Sequence, residues 1–249
     1  MEKILYFDCA YGISGDMTLG AFLDLGVEAA ALHRELKKVP FEGYKLRCTQ
    51  VYRHGVPAKK VDVVLDLDNS ENKAEKNPDD VQKLIKISSL SADVKQKALR
   101  MFQILAQAQA KAHQIPLEKV HFHEKGAVDS LVDVIGTAIC LELLGISKIY
   151  STPLNDGTGF IQCRCGSLAV PVPATRIITQ QFDIPTKSLP IESELVTPTG
   201  AAIAAALITD YCEKAPVNAA LVKTGVGAGD YDYGQGGYLK CSMFTYGPV

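Results

Sequence analysis

The chain predicts a mixed α/β (α+β) fold: a single compact domain with a mixed sheet and helices packed on it. Three observations predict it. Short apolar or alternating runs bounded by Gly, Pro or Asn recur and read as strands. Longer segments with apolar residues at three- and four-residue steps read as helices. The two kinds alternate through all 249 residues without an internal repeat, which places the chain among the mixed classes. Hydrophobic residues make up 47% and charged residues 22%, so a sizeable core can be buried. A formal charge of −2 gives no electrostatic case for a nucleic-acid partner. No apolar run approaches membrane-spanning length. The N-terminus turns acidic too soon for a signal peptide. Seven cysteines, an odd number, suit reduced thiols in the cytoplasm.

In order, Ile4-Leu5-Tyr6-Phe7 reads as a buried strand. It ends in the Gly/Ser loop Asp8–Met17, and a helix runs from about Asp16 to Leu25, stopped by Gly26. A second helix spans about Glu28 to Lys38. Tyr44–Val51 and Ala58–Leu65 form a hairpin candidate through His54-Gly55-Val56-Pro57. The polar stretch Asp66–Asp80 reads as a mobile insertion without chemistry. Ser91–Gln114 is the longest helix, with Val94, Ala98, Met101, Phe102, Leu105, Ala108 and Ala112 in its stripe. A helix from about Ala127 to Leu144 is closed by Gly145. Its Val128, Leu131, Ile135 and Ile139 lie beside a second stripe of Asp129, Asp133, Gly136 and Cys140. Cys140 suits the core, as free cysteine is a small hydrophobe. Lys148–Thr152 is a short strand, Asn155–Gly159 a turn, and Phe160–Val170 an alternating strand that places Cys163 and Cys165 on one side. Ala174-Thr175 opens a helix after Pro171-Val172-Pro173. Thr197-Pro198-Thr199-Gly200 opens another, reaching about Cys212. Val217–Thr224 and Tyr238–Tyr246 read as strands. Gly225–Asp230 between them is no dinucleotide fingerprint, because no helix follows it.

The densest chemistry lies at His121-Phe122-His123-Glu124-Lys125-Gly126-Ala127-Val128-Asp129-Ser130-Leu131-Val132-Asp133. His121 and His123 are two apart, so on an extended segment they share a side. Asp129 and Asp133 are four apart on a helix and share a face. His121, His123, Glu124 and Asp129 are therefore candidate ligands of one divalent cation, since imidazole suits nickel, zinc and iron. Carboxylates in the first turns of a helix are also favoured by the macrodipole without any ligand. Asp16, Glu124, Asp129 and Asp133 are the candidate acid/base groups. Gly12, Ser14 and Gly15 at one helix start, and Thr197, Thr199 and Gly200 at another, are candidate cofactor-binding residues, because helix N-termini aim N–H groups at anions. Tight strand-to-helix turns also use glycine for backbone geometry alone. The first loop is not a P-loop: no Gly-Lys-Ser/Thr follows it.

Together, Asp8–Met17 with its Gly-Ile-Ser-Gly-Asp-Met core, His121–Asp133, Pro171–Thr175 and Glu194–Ala202 resemble the nickel insertion protein family (LarC), with a weaker match at Gly225–Asp230. The resemblance implies insertion of Ni2+ into a pyridinium bisthiocarboxylate mononucleotide, forming Ni–C and Ni–S bonds. It implies a nickel chelatase or cyclometallase of the lyase class. It further implies CTP with Mn2+ or Mg2+, used mainly through a C-terminal region that normally follows, so the chain is expected to be the N-terminal region only. The product would be the nickel-pincer cofactor of lactate racemase-type enzymes. The partners implied are the nucleotide substrate, that C-terminal half, the recipient racemase and a homo-oligomeric copy, with no nucleic acid and no membrane. Two features depart from the family pattern. Cys163-Arg164-Cys165-Gly166 stands where the family tends to have Cys-Ala-His-Gly, and the 66–80 stretch holds no histidine. The residues alone leave two alternatives: a metal-dependent phosphoester hydrolase using the same His/Asp corner, and a non-catalytic nickel-delivery module.

Overall fold

The structure is a computed structural model that describes residues 2–66, 77–120, 124–163, 166–215, 219–234 and 236–246, with only the backbone at 124–127. His121, His123 and Cys165 lie outside the described residues, as does the Glu124 side chain.

The fold is mixed α/β as expected. A seven-stranded sheet has the order β2 (Tyr44–Arg53), β3 (Val56–Leu65), β10 (Ala220–Ala228), β11 (Tyr238–Tyr246), β1 (Glu2–Asp8), β4 (Ile146–Ser151), β9 (Ile208–Tyr211). β1 pairs antiparallel with β11 and parallel with β4. Its Ile4, Leu5 and Phe7 are fully buried, as a strand inside a covered sheet requires. The β2–β3 turn is the dipeptide His54-Gly55, both at positive φ (48° and 77°). That conformation matches the twist of the flanking strands. Two small sheets lie apart: β5 (Leu154–Thr158) with β8 (Thr186–Glu192), and β6 (Phe160–Cys163) with β7 (Gly166–Ala169).

Helix α1 (Gly15–Leu25) lies on β3, β10 and β11. α5 (Glu124–Leu144) packs against α1, and also against α2 (Ala29–Leu36), α4 (Ala92–His113) and α7 (Pro198–Leu207). α3 (Pro78–Ile87) and α6 (Pro173–Gln181) pack on α4. From Leu131 to Leu141 nearly every side chain of α5 is buried, which suits a helix surrounded by others. Cys140 is in the core, as expected. No described helix is long and apolar enough to cross a membrane.

Several expectations are corrected. The strand expected over Val217–Thr224 runs over Ala220–Ala228 instead, so it takes in most of the glycine stretch. A Cβ at Gly225 would lie 2.3 Å from the Ala21 carbonyl oxygen, and one at Gly227 1.8 Å from that of Met17. Residues two apart share a strand face, so these glycines let the α1 backbone rest directly on β10. The last helix stops at Leu207 because Ile208–Tyr211 leaves it to pair with β4. Phe160–Val170 is a hairpin, not one strand, and Asn155–Thr158 is extended as β5 rather than a turn. At the end of the polar stretch, Asn77 caps α3 and forms a capping box with Asp80, so residues 77–80 are a helix start; 67–76 lie outside the described residues.

Candidate functional site

The site is assembled where two helix starts meet. Ile13 donates its N–H to the Leu195 carbonyl at 3.0 Å, and its own carbonyl accepts from Thr197 N–H at 3.1 Å. This parallel bridge between Ile13 and Val196 sets the N-termini of α1 and α7 side by side. A Cβ at Gly200 would fall 2.0 Å from the Ile13 carbonyl oxygen and one at Gly12 2.0 Å from that of Leu195. Those glycines serve this close approach. Ser14 caps α1 by accepting from Met17 N–H and donates to the Asp16 carboxylate. Thr197 caps α7 by accepting from Gly200 N–H at 3.1 Å. Thr199 Oγ1 lies 3.5 Å from Ser130 Oγ and ties α7 to α5.

Beneath these starts is an acidic cavity of about 270 Å3 lined by Asp16, Lys60, Asp62, Asp129, Asp133 and Asp230. Lys60, only 13% exposed, sits among three carboxylates: Asp230 at 2.6 Å, and Asp16 and Asp62 at 3.3 Å. Burial by itself would lower the ammonium pKa; the Asp230, Asp16 and Asp62 charges outweigh it and raise it. Burial raises the pKa of the Asp16 carboxyl, opposed by the Ser14 hydroxyl and Lys60. Asp133 is raised well above the carboxylate range by burial, with the charges of Asp16 and Asp129 adding to it. Carboxylates this close raise one another's pKa, and the Lys60 ammonium offsets part of that repulsion.

Asp16 and Asp230 also line a second cavity of about 390 Å3, walled by Tyr11, Tyr231 and Tyr233, with Ser14, Thr197 and Glu194 at its edge. Among the described residues no Lys or Arg lines this second cavity. Aromatic faces and carboxylates together suit a flat cationic ring. A third, more apolar cavity of about 540 Å3 adjoins it through Ile161 and Glu194 and reaches His113 and Cys163.

The structure thus brings together Ser14, Asp16, Asp129, Asp133 and Thr197, all singled out from sequence. Gly12, Gly15, Thr199 and Gly200 hold backbone and helix contacts around them. The first residue of α5 is Glu124, which puts the helix start three residues ahead of the expected Ala127. Among the described residues no group of three or more His, Cys, Asp and Glu is arranged to hold a metal ion. Sequence reasoning missed Lys60, Glu194, Asp230 and Asp156. Asp230 closes the glycine stretch and Glu194 precedes the α7 start, so both stood beside recognised signals. Lys60 is one lysine in an ordinary strand and carried no signal. Asp156 is buried on β5. Its Oδ1 accepts from the N–H groups of Gly157, Leu195 and Val196 at 2.8, 2.9 and 3.1 Å, and its Oδ2 has no partner among the described residues.

Comparison with known proteins gives one consistent result. The family described as "Nickel insertion protein" matches residues 5–245. The pyridinium-3,5-bisthiocarboxylic acid mononucleotide nickel insertion protein of Acetivibrio thermocellus is 40% identical over 246 residues, 97% of this chain and 60% of that protein. The protein of the same name from Geobacillus kaustophilus is 42% identical over 234 residues, 92% of this chain and 56% of its own. A putative nickel insertion protein of Wolinella succinogenes is 44% identical over 229 residues, 92% of this chain and 56% of its own. The chain therefore spans little more than half the length of these relatives. No solved structure matches it. With the family pattern running through nearly all of its sheet and helices, the chain belongs to the nickel insertion protein family.

Proposed function

We infer that this chain carries the nickel-handling and ring-binding half of a nickel cyclometallase. Its substrates are Ni2+ and the pyridinium-3,5-bisthiocarboxylic acid mononucleotide, the compound in the names of its relatives. The observation that carries the reading is the pair of cavities sharing Asp16 and Asp230, one acidic and one walled by tyrosines. His121, His123 and Glu124, with Asp129, are the ligands assigned to nickel, a borderline cation that accepts imidazole and carboxylate. The pyridinium ring belongs in the tyrosine cavity, where its positive charge meets aromatic faces. Its phosphate belongs at the paired helix starts, Gly12-Ser14-Gly15 and Thr197-Thr199-Gly200. Asp16, Glu124, Asp129 and Asp133 are the carboxylates available for proton movement near the metal. The product is the nickel-pincer cofactor of lactate racemase-type enzymes, and the reaction is of the lyase class.

CTP with Mn2+ or Mg2+ is assigned to the part of the longer relatives that this chain does not match. CTP is placed outside the tyrosine cavity because Asp16, Glu194 and Asp230 in its lining would repel a triphosphate. Partners are then that C-terminal part, a recipient racemase and a second copy of the chain. Cys9, Cys48, Cys140, Cys212 and Cys241 form no disulfide, which suits a reducing cytoplasm.

The experiment mixes the chain, Ni2+ and the nucleotide, with and without CTP, Mg2+ and the unmatched part of the Acetivibrio relative. Insertion is followed by mass. His121→Ala/His123→Ala should lower nickel affinity at least about tenfold, while His33→Ala on α2 should not change it. Equal nickel affinity in wild type and double variant refutes the metal assignment. Phosphoester turnover without nickel would point instead to a hydrolase.

A further inference from the structure

We propose that Glu194 is the base that takes the ring proton when nickel bonds to carbon. This rests on the nickel-insertion reading and names the residue for its proton step.

Glu194 stands at the junction of the tyrosine cavity and the apolar cavity, lining both. Its position is rigidly built. The amides of the two residues after it, Leu195 and Val196, both donate to Asp156 Oδ1. The Leu195 carbonyl in turn accepts from Ile13 N–H. The segment is thus pinned to β5 on one side and to the α1 loop on the other. Among the described residues no hydrogen bond or ion pair engages the Glu194 carboxylate, although it is half-buried. A carboxylate carried on a fixed backbone, partly dehydrated and without a hydrogen-bond partner among the described residues is available to a substrate proton.

Its surroundings set its basicity. Asp156 faces it from β5, and Asp16, Asp230, Tyr11 and Tyr233 share the tyrosine cavity. His113 of α4 and Cys163 of β6 face it across the apolar cavity. Burial, with the Asp156 charge adding to it, pushes its pKa up to about 7. A base matched to neutral pH combines a useful ionised fraction with real proton affinity. Asp16 and Asp230, which join this cavity to the acidic one, place a ring in the tyrosine cavity beside a metal in its neighbour. The step balances without an oxidant. The ring C–H bond breaks, its electron pair forms the Ni–C bond, nickel remains Ni2+, and the proton passes to the Glu194 carboxylate.

The test is single-turnover nickel insertion by the chain with CTP, Mg2+ and the unmatched part of the Acetivibrio relative. Glu194→Gln should bind nickel as wild type does and insert it about 100-fold more slowly. Glu194→Asp should recover part of the rate. The wild-type rate should rise with pH and level off above about 7, and Glu194→Gln should lose that rise. Insertion by Glu194→Gln at near wild-type rate, or with the rise intact, overturns the proposal while leaving the nickel-insertion reading standing. Failure of the wild type to insert nickel overturns both. If Glu194→Gln does not fold, a wild-type rate flat across neutral pH with ring-deuterated substrate showing an isotope effect overturns the proposal, and a rising one supports it.

Discussion

The Asp133 carboxylate lies directly against the Cα of Gly15: a Cβ there would sit 2.1 Å from Oδ2. The start of α1 and the third turn of α5 therefore share one small space, and only glycine leaves room for the acid. Gly15→Ala should destabilise the fold by about 1–3 kcal/mol, the usual cost of forcing atoms into a packed site. It should also displace Asp133 and weaken divalent-cation binding. Urea unfolding checks the first effect and nickel titration the second; an unchanged midpoint would mean that Asp133 simply swings aside.

Asp133 itself carries a pH signature. Its carboxyl is raised above the ordinary range chiefly by burial, with Asp16 and Asp129 adding to the effect. A raised acid contributes stability below its unfolded pKa of about 3.9 and loses it as pH climbs through the folded value. Asp133→Asn removes the charge that is penalised at neutral pH. It should stabilise the metal-free chain by about 1 kcal/mol at pH 7, as relief of a functional site often does. That advantage should vanish near pH 4. Thermal melts at the two pH values decide it; a gain equal at both would rule out ionisation as the cause.

Lys60 acts as the counter-charge of the acidic cavity, touching Asp16, Asp62 and Asp230. Asp230 is 70% exposed, so water screens that contact and its share is small. Lys60→Met should cost about 1–2 kcal/mol and make the cavity more attractive to cations. The expected result is a lower melting temperature that added Mn2+ or Ni2+ restores by binding the folded state. A variant that divalent ions fail to rescue would argue that the cavity takes no cation.

Asp156 Oδ1 is the shared acceptor for three backbone amides. Asp156→Ala would orphan all of them inside the fold, at about 1–3 kcal/mol for each unsatisfied group. We expect a loss of at least about 3 kcal/mol by urea unfolding. Asp156→Asn, whose carbonyl can still accept, should keep most of the stability and also relieve the buried Oδ2. Equal losses in the two variants would assign the effect to volume instead of hydrogen bonding.

The sequence by itself determined much of this. Local periodicity and capping are written in neighbouring residues, so β1, the β2–β3 hairpin, α1, α4 and the Thr197-Pro198 start of α7 were legible, as was the family. Asp16, Asp129 and Asp133 stood out as candidate acid/base groups, and all three line one cavity. Only the tertiary structure decided the rest. Gly225 and Gly227 fall past the expected strand end at Thr224 until α1 is laid across them and the strand needs bare backbone beneath the helix. Ile208–Tyr211 continues a helical run until β4 offers it hydrogen bonds. Lys60, Asp133, Asp230 and Glu194 come from β3, α5, the loop after β10 and the approach to α7, and nothing in their spacing brings them together. Side chains that far apart in the chain meet only through sheet register and helix packing, which depend on contacts across the whole molecule and not on any local stretch.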